Sequence, residues 1–411
     1  MGRQLLGVSP RRRIVVLATV AALAGVSPVA GQSIPIGTFS LAATHPEAAA
    51  YPALGNALVG LTPWQGRLFT GYGHWVEFFG LPNFAIRAYD PAADVLVEQF
   101  VTGAEGIWNY RSIGDKLYAP VTDPSEGIDY VVGVPWQSRD AAPGTKRLFD
   151  MAGLGADLFM VGSTGADAVV WRSSDEGQTW QEALRITKQD QRDLETHFGF
   201  ALVTEGNLYV QAYGVGWSGA HPTSKVFDGT SWSDGPNLLP DWRYKGWKPT
   251  PFGRDAIYLS GEPGNAAMAL MRFDGVQTNE IQTPYRFWDF VVAGDYLYAL
   301  VVEPGAPLWA PEIRRTRDLT TWTHVAEAPT DSRSLGILGQ TLYIGATAGR
   351  LFEYSEPLRE LGPRRSSRRP RISSEPDPAL VVSHSAVVRQ KTAYQKKKRA
   401  GSTRPLPVRQ Y

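Results

Sequence analysis

Apolar and polar residues alternate along this chain in short runs, and glycines punctuate the runs. One pattern recurs: a glycine turn, one to three further residues, then an aliphatic–aromatic pair. It reads Gly66-Arg67-Leu68-Phe69, Gly114-Asp115-Lys116-Leu117-Tyr118, Gly155-Ala156-Asp157-Leu158-Phe159 and Gly206-Asn207-Leu208-Tyr209. It returns as Gly253-Arg254-Asp255-Ala256-Ile257-Tyr258, Gly294-Asp295-Tyr296-Leu297-Tyr298 and Gly339-Gln340-Thr341-Leu342-Tyr343. Successive aliphatic members lie 49, 41, 50, 49, 40 and 45 residues apart. Glycine tolerates positive φ, so each copy reads as a tight hairpin whose apolar–aromatic pair opens the returning strand.

Most copies follow an alternating or apolar run, such as Phe198 to Val203 or Phe287 to Val292. Most precede a third strand, such as Val169-Val170-Trp171-Arg172, Lys225-Val226-Phe227 or Leu270-Met271-Arg272-Phe273, and then a more polar fourth. Four strands in a unit of this length are the footprint of a propeller blade. The chain is therefore predicted to be all-β, a seven-bladed β-propeller of four-stranded antiparallel blades over residues 32–362. A long β-sandwich or a two-domain β-protein would not require so regular a spacing.

Composition supports this reading and divides the chain. Among 411 residues there are 13 Trp, 17 Tyr, 16 Phe, 42 Gly and 30 Pro, which suits short strands and many turns. The formal net charge of +1 conceals an asymmetry. Residues 363–411 carry 13 Lys/Arg against two acids, and the first 31 residues carry four Arg and no acid. The body between them keeps 24 basic and 38 acidic residues, a net of −14. Cysteine is absent, which removes disulfides, thiolate nucleophiles and thiolate metal sites.

The two ends read as processing and tail segments. Arg11-Arg12-Arg13 precede an apolar run from Ile14 to Val26, and small residues follow up to Gly31. That is the layout of a signal peptide over 1–31 with cleavage before Gln32, implying a secreted, periplasmic or cell-surface location. No later stretch reads as a transmembrane segment. The basic segment 363–411 is expected to be disordered and able to contact anionic cell-surface polymers.

Ser173-Ser174-Asp175-Glu176-Gly177-Gln178-Thr179-Trp180 resembles an Asp-box (BNR repeat), the Ser-x-Asp-x-Gly-x-Thr-Trp hairpin of sialidases and other exported propellers. The resemblance implies structural roles for Ser173, Asp175, Gly177, Thr179 and Trp180: a capped turn, a permissive backbone and an aromatic packed between blades. Thr316-Arg317-Asp318-Leu319-Thr320-Thr321-Trp322 is a shorter copy without the glycine. Phe227-Asp228-Gly229 and Phe273-Asp274-Gly275 resemble the turns of kelch-like propellers. The Arg-Ile-Pro motif that accompanies sialidase activity is missing.

A propeller ligand sits at a mouth of the central channel, lined where the innermost strands begin. Counting back from each hairpin places Trp108, Asn109, His197, Lys245, Trp247, Arg286, Trp288, Asp289 and Arg333 there, with Lys146 and Arg147 beside them. Cations among flat aromatics in an acidic body suit an anionic glycan, and a protein surface is the other partner class. Nucleic acid is not expected of an exported protein. His74, His197 and His221 lack metal-ligand spacing, so no catalytic metal or cofactor is expected. Structural calcium has no readable signature here. Two functions stay open: a binding or scaffold protein, and a sialidase-like glycoside hydrolase or polysaccharide lyase. The latter would use acid pairs such as Glu195 with Asp289 or Glu77 with Glu105.

Overall fold

In the computed structural model the seven glycine hairpins join the first and second strands of seven antiparallel sheets arranged as the blades of a propeller. The structure describes residues 38–50, 55–73, 84–103, 106–121, 130–133, 135–139, 142, 144–188, 195–215, 224–239, 245–261, 268–356 and 358. Residues 1–31, expected to be a signal peptide, and residues 363–411, expected to be a basic tail, lie outside them. Among the described residues no helix is long and apolar enough to cross a membrane.

All seven turn glycines have left-handed backbone: φ is +76° at Gly66, +62° at Gly114 and Gly155, +78° at Gly206, +66° at Gly253, +61° at Gly294 and +64° at Gly339. A side chain would strain each of these positions. The following second strands, such as Asp157–Ser163, Asp255–Gly261 and Tyr296–Val302, are almost wholly buried. Each is covered on both faces by neighbouring blades, which is why its sequence is a continuous apolar run rather than an alternation. The aromatic members Phe69, Phe159, Tyr258, Tyr298 and Tyr343 lie in this inter-blade core.

The innermost strands are Gly60–Trp64, Arg111–Ile113, Arg147–Leu154, Leu202–Thr204, Lys245–Phe252, Arg286–Ala293 and Ser332–Leu338, in blades 1 to 7. Blade 4 departs from the common pattern. Its inner hairpin is split, with Glu195–Phe198 pairing Ala212–Val215 and Leu202–Thr204 pairing Asn207–Val210. Buried Gln211 fills the break, accepting from the Leu238 and Leu239 amides. The ring closes through its other end. The outermost strand of blade 7 is Phe39–Thr44, which pairs antiparallel with Arg350–Tyr354.

In blades 3 to 6 the turns between third and fourth strands share one device, an aspartate that caps the hairpin. Asp175 accepts from the Gln178 and Thr179 amides and from the Ser173 and Thr179 hydroxyls. These bonds hold its carboxyl down at about 2. Asp228, Asp274 and Asp318 each accept from the amides two and three residues onward. Trp180 packs edge-on against Tyr130 of blade 2, at 5.8 Å between ring centroids, and the Tyr130 hydroxyl donates to the Gly177 carbonyl. In the shorter copy Leu319 takes left-handed φ of +64° without a glycine, its buried side chain tucked into the core between blades 5 and 6.

Candidate functional site

The first strands begin on the face opposite the glycine turns, and the axis beneath that face is fastened by charge. Asp150 of blade 3 and Asp289 of blade 6 sit at equivalent bulges of their inner strands, opposite Val161 and Leu300. Each carboxylate reaches the next blade: Asp150 accepts from the Ala201 amide at 3.0 Å and Asp289 from the Leu335 amide at 2.8 Å. Ser334, at the corresponding bulge of blade 7, donates to the Leu58 carbonyl of blade 1 at 2.7 Å. The preceding blades supply cations. Arg111 grips Asp150 with Nε and Nη2 at 2.6 and 2.7 Å, and Lys248 Nζ lies 2.7 Å from Asp289. Burial pushes the Asp289 carboxyl above its ordinary value, against the opposing pull of Lys248 and two backbone amides.

This level is bridged across the ring. The Trp108 and Trp247 rings, from blades 2 and 5, stand 6.4 Å apart, and Arg111 Nη1 donates to the Pro249 carbonyl at 3.2 Å. Asn109 Nδ2 donates to Asp150 at 3.0 Å. Trp108, Asn109, Trp247 and Asp289 thus have their contacts inside the protein. Close packing fixes the Trp108 backbone, since a Cβ on Gly60 would stand 2.4 Å from its carbonyl oxygen.

Two polar clusters lie nearer the start of the inner strands. At blades 3 and 4, Glu195 bonds the buried His197 at 2.5 Å and pairs with Arg147 at 3.1 Å. Burial pushes the Glu195 carboxyl up, but the His197 hydrogen bond and the charges of His197 and Arg147 outweigh it and hold it below its usual value. At blades 6 and 7, Arg286 is exposed and Trp288 is buried, its indole N–H donating to the Leu308 carbonyl at 3.1 Å. The Arg333 guanidinium lies over the Trp288 ring at 4.4 Å and bonds the Ser332 carbonyl. Burial lowers the Arg333 pKa, with Asp331 opposing.

The second cluster includes a residue that the count along the inner strands missed. Trp309 lies on the segment between the second and third strands of blade 6, and 59% of it is exposed. Its carbonyl accepts from the Asp331 amide at 3.0 Å, while the neighbouring Leu308 carbonyl is held by Trp288. The backbone carrying this exposed indole is therefore tied to blade 7 through Asp331, two residues before Arg333. The run Pro307-Leu308-Trp309-Ala310-Pro311 carries a signal, a large aromatic between prolines in a turn segment.

The side chain of Lys245, and His74, His221, Glu77 and Glu105, lie outside the described residues. Of the acid pair Glu195 and Asp289, the second is fully engaged by Lys248 and the Phe290 and Leu335 amides. On the turn face, a cleft of about 550 Å³ opens between blades 5 and 6 over Phe252 and Leu319. Three arginines and three aspartates line it, including the Arg272–Asp255 pair at 2.6 Å.

No family model matches the chain, and no curated protein matches it. Among solved structures it is similar to virginiamycin B lyase from Staphylococcus aureus, with 12% identity over 77% of this chain and 98% of that one and a TM-score of 0.49. It is similar to the GH74 xyloglucanase from Xanthomonas campestris, with 15% identity over 79% of this chain and 54% of that one and a TM-score of 0.47. It is also similar to the computationally designed Ika8 protein, with 8% identity over 73% and 96% and a TM-score of 0.44. By its fold this chain is a seven-bladed β-propeller of four-stranded antiparallel blades.

Proposed function

We propose that this is an exported propeller of Asp-box type that binds an anionic glycan at the junction of blades 6 and 7. One observation carries the reading: Trp309 exposes its indole on a backbone tied to the Asp331 amide, two residues before Arg333, whose guanidinium lies over Trp288. A sugar ring stacks on an aromatic face, and a carboxylate or sulfate pairs with a guanidinium, here Arg333, with exposed Arg286 at the start of the blade 6 inner strand as a second candidate. The Arg333 side chain is ordered on Trp288 before any ligand arrives, which lowers the entropic cost of binding. Export is supported by the Arg11-Arg12-Arg13 leader with its apolar run, and the Asp-box assignment by Ser173 to Trp180.

The test is a glycan array with the chain lacking residues 1–31, paired with a screen of chromogenic glycosides. The expected result is capture of uronate-bearing or sulfated glycans, with affinity falling roughly ten-fold or more in Trp309→Ala and in Arg333→Ala. Hydrolysis of a glycoside would replace the binding reading with the glycosidase one. Silence in both screens would leave a protein surface as the partner class.

A further inference from the structure

The outer half of blade 6 carries a second constellation, separate from Trp309 and Arg333. Its third strand, Glu312–Thr316, pairs with its fourth, Thr323–Glu327, and a bulge interrupts the register: Ile313 faces Ala326, whereas Arg314 faces His324. In a regular strand His324 and Glu327, three residues apart, would point to opposite faces. The bulge buries both Val325 and Ala326 and turns His324 and Glu327 to the same side. Glu312, directly opposite Glu327 in the register, joins them there. His324 Nε2 lies 3.1 Å from Glu327 Oε1 and 3.6 Å from Glu312 Oε2, and all three atoms lie within 4.8 Å of one another.

We propose that Glu312, His324 and Glu327 form a zinc-binding site. Metal–ligand bonds of about 2.0–2.1 Å in a tetrahedral centre set ligand atoms about 3.3 Å apart. The two imidazole–carboxylate separations bracket that value. The donor set, one imidazole and two carboxylates with room for water, suits zinc better than calcium, which prefers six or more oxygens. The site has an outer layer as well. Arg314 Nε bonds Glu312 Oε1 at 2.5 Å, and its Nη2 reaches both Glu312 Oε2 at 3.2 Å and Glu303 at 2.7 Å, so a metal at Oε2 would share that oxygen with the guanidinium. Such a tie orients a ligating carboxylate. With Glu303, three carboxylates face one guanidinium and one imidazole, so a divalent cation would relieve a local excess of negative charge. It would also pin the third and fourth strands together at the end where the segment bearing Trp309 enters.

The test is calorimetric titration of Zn²⁺ into the untagged, chelator-stripped full chain at neutral pH, with Ca²⁺ as the comparison. The expected result is one zinc per chain, and calcium at least about 100-fold weaker. His324→Gln, which keeps the size and polarity of the side chain, should weaken zinc at least about 100-fold, and Glu327→Gln about 10-fold, with unchanged circular dichroism. Zinc binding of equal strength in His324→Gln, no zinc binding, or preference for calcium would overturn the assignment. So would anomalous scattering from a zinc-soaked crystal that places the ion away from His324. None of these results bears on Trp309, so this proposal and the glycan reading fail independently.

Discussion

At the scale of single residues, backbone conformation at a few positions decides the chain path. Gly339 holds φ at +64° with nothing crowding the place of a Cβ. Gly339→Ala should therefore cost about 1 kcal/mol through strain alone, read from the urea midpoint. His45 is different, a buried imidazole at the start of the short helix Pro46–Ala50. Its Nδ1 accepts the Ala48 amide at 3.2 Å and its ring packs at a tilt against Tyr72, with 4.2 Å between centroids. Burial drives its pKa down to about 4, with Arg87 adding to the shift and Glu47 opposing it. Because the unfolded imidazole takes up its proton near pH 6.5, the unfolded state binds more protons between those values. The stability it confers is complete above pH 6.5 and is lost as pH falls toward 4, by about 3 kcal/mol in all. Urea unfolding at pH 7.5 and 4.5 should show this slope in the wild type and a shallower one in His45→Gln.

At the scale of elements, strands are bound to their neighbours at equivalent places, so damage there crosses blades. Gly177→Ala would set a methyl 2.5 Å from the Tyr130 hydroxyl and strain a φ of +80°. The expected loss is about 2–3 kcal/mol, with a change in near-ultraviolet dichroism as Tyr130 and Trp180 shift. Asp150 receives Arg111, Asn109 and the amides of Met151 and Ala201. Asp150→Ala leaves the Arg111 charge without its partner and should cost about 3–5 kcal/mol, against about 1 for Ser334→Ala, whose hydroxyl makes a single neutral bond. Equal losses in the two variants would show that Asp150 is not a principal fastener.

At the scale of the whole molecule, closure of the ring rests on a strand far from its partner in sequence. Phe39–Thr44 completes blade 7, and its removal would leave the edge of Arg350–Tyr354 facing solvent and other chains. A chain beginning at residue 45 should melt more than about 10 °C lower, or aggregate, whereas one beginning at residue 32 should melt as the full chain does. Differential scanning calorimetry with size-exclusion chromatography decides between these outcomes.

The architecture was legible in the sequence because its markers are local. A glycine that must take positive φ, an aspartate that caps the hairpin after it and an apolar strand buried on both faces each act within a few residues. Repetition of those markers at near-constant spacing told of seven blades. The strand that closes the ring was not legible, because its pairing with Arg350–Tyr354 spans about three hundred residues and leaves no periodic trace. Nor did counting along inner strands separate Asp289, engaged by three donors, from Arg286, which is exposed. Bulges settle that difference, by turning neighbouring side chains toward the axis, the next blade or water. Trp309 and the grouping of Glu312, His324 and Glu327 likewise exist only once strands are paired, since hydrogen-bond register across chain segments brings those side chains together.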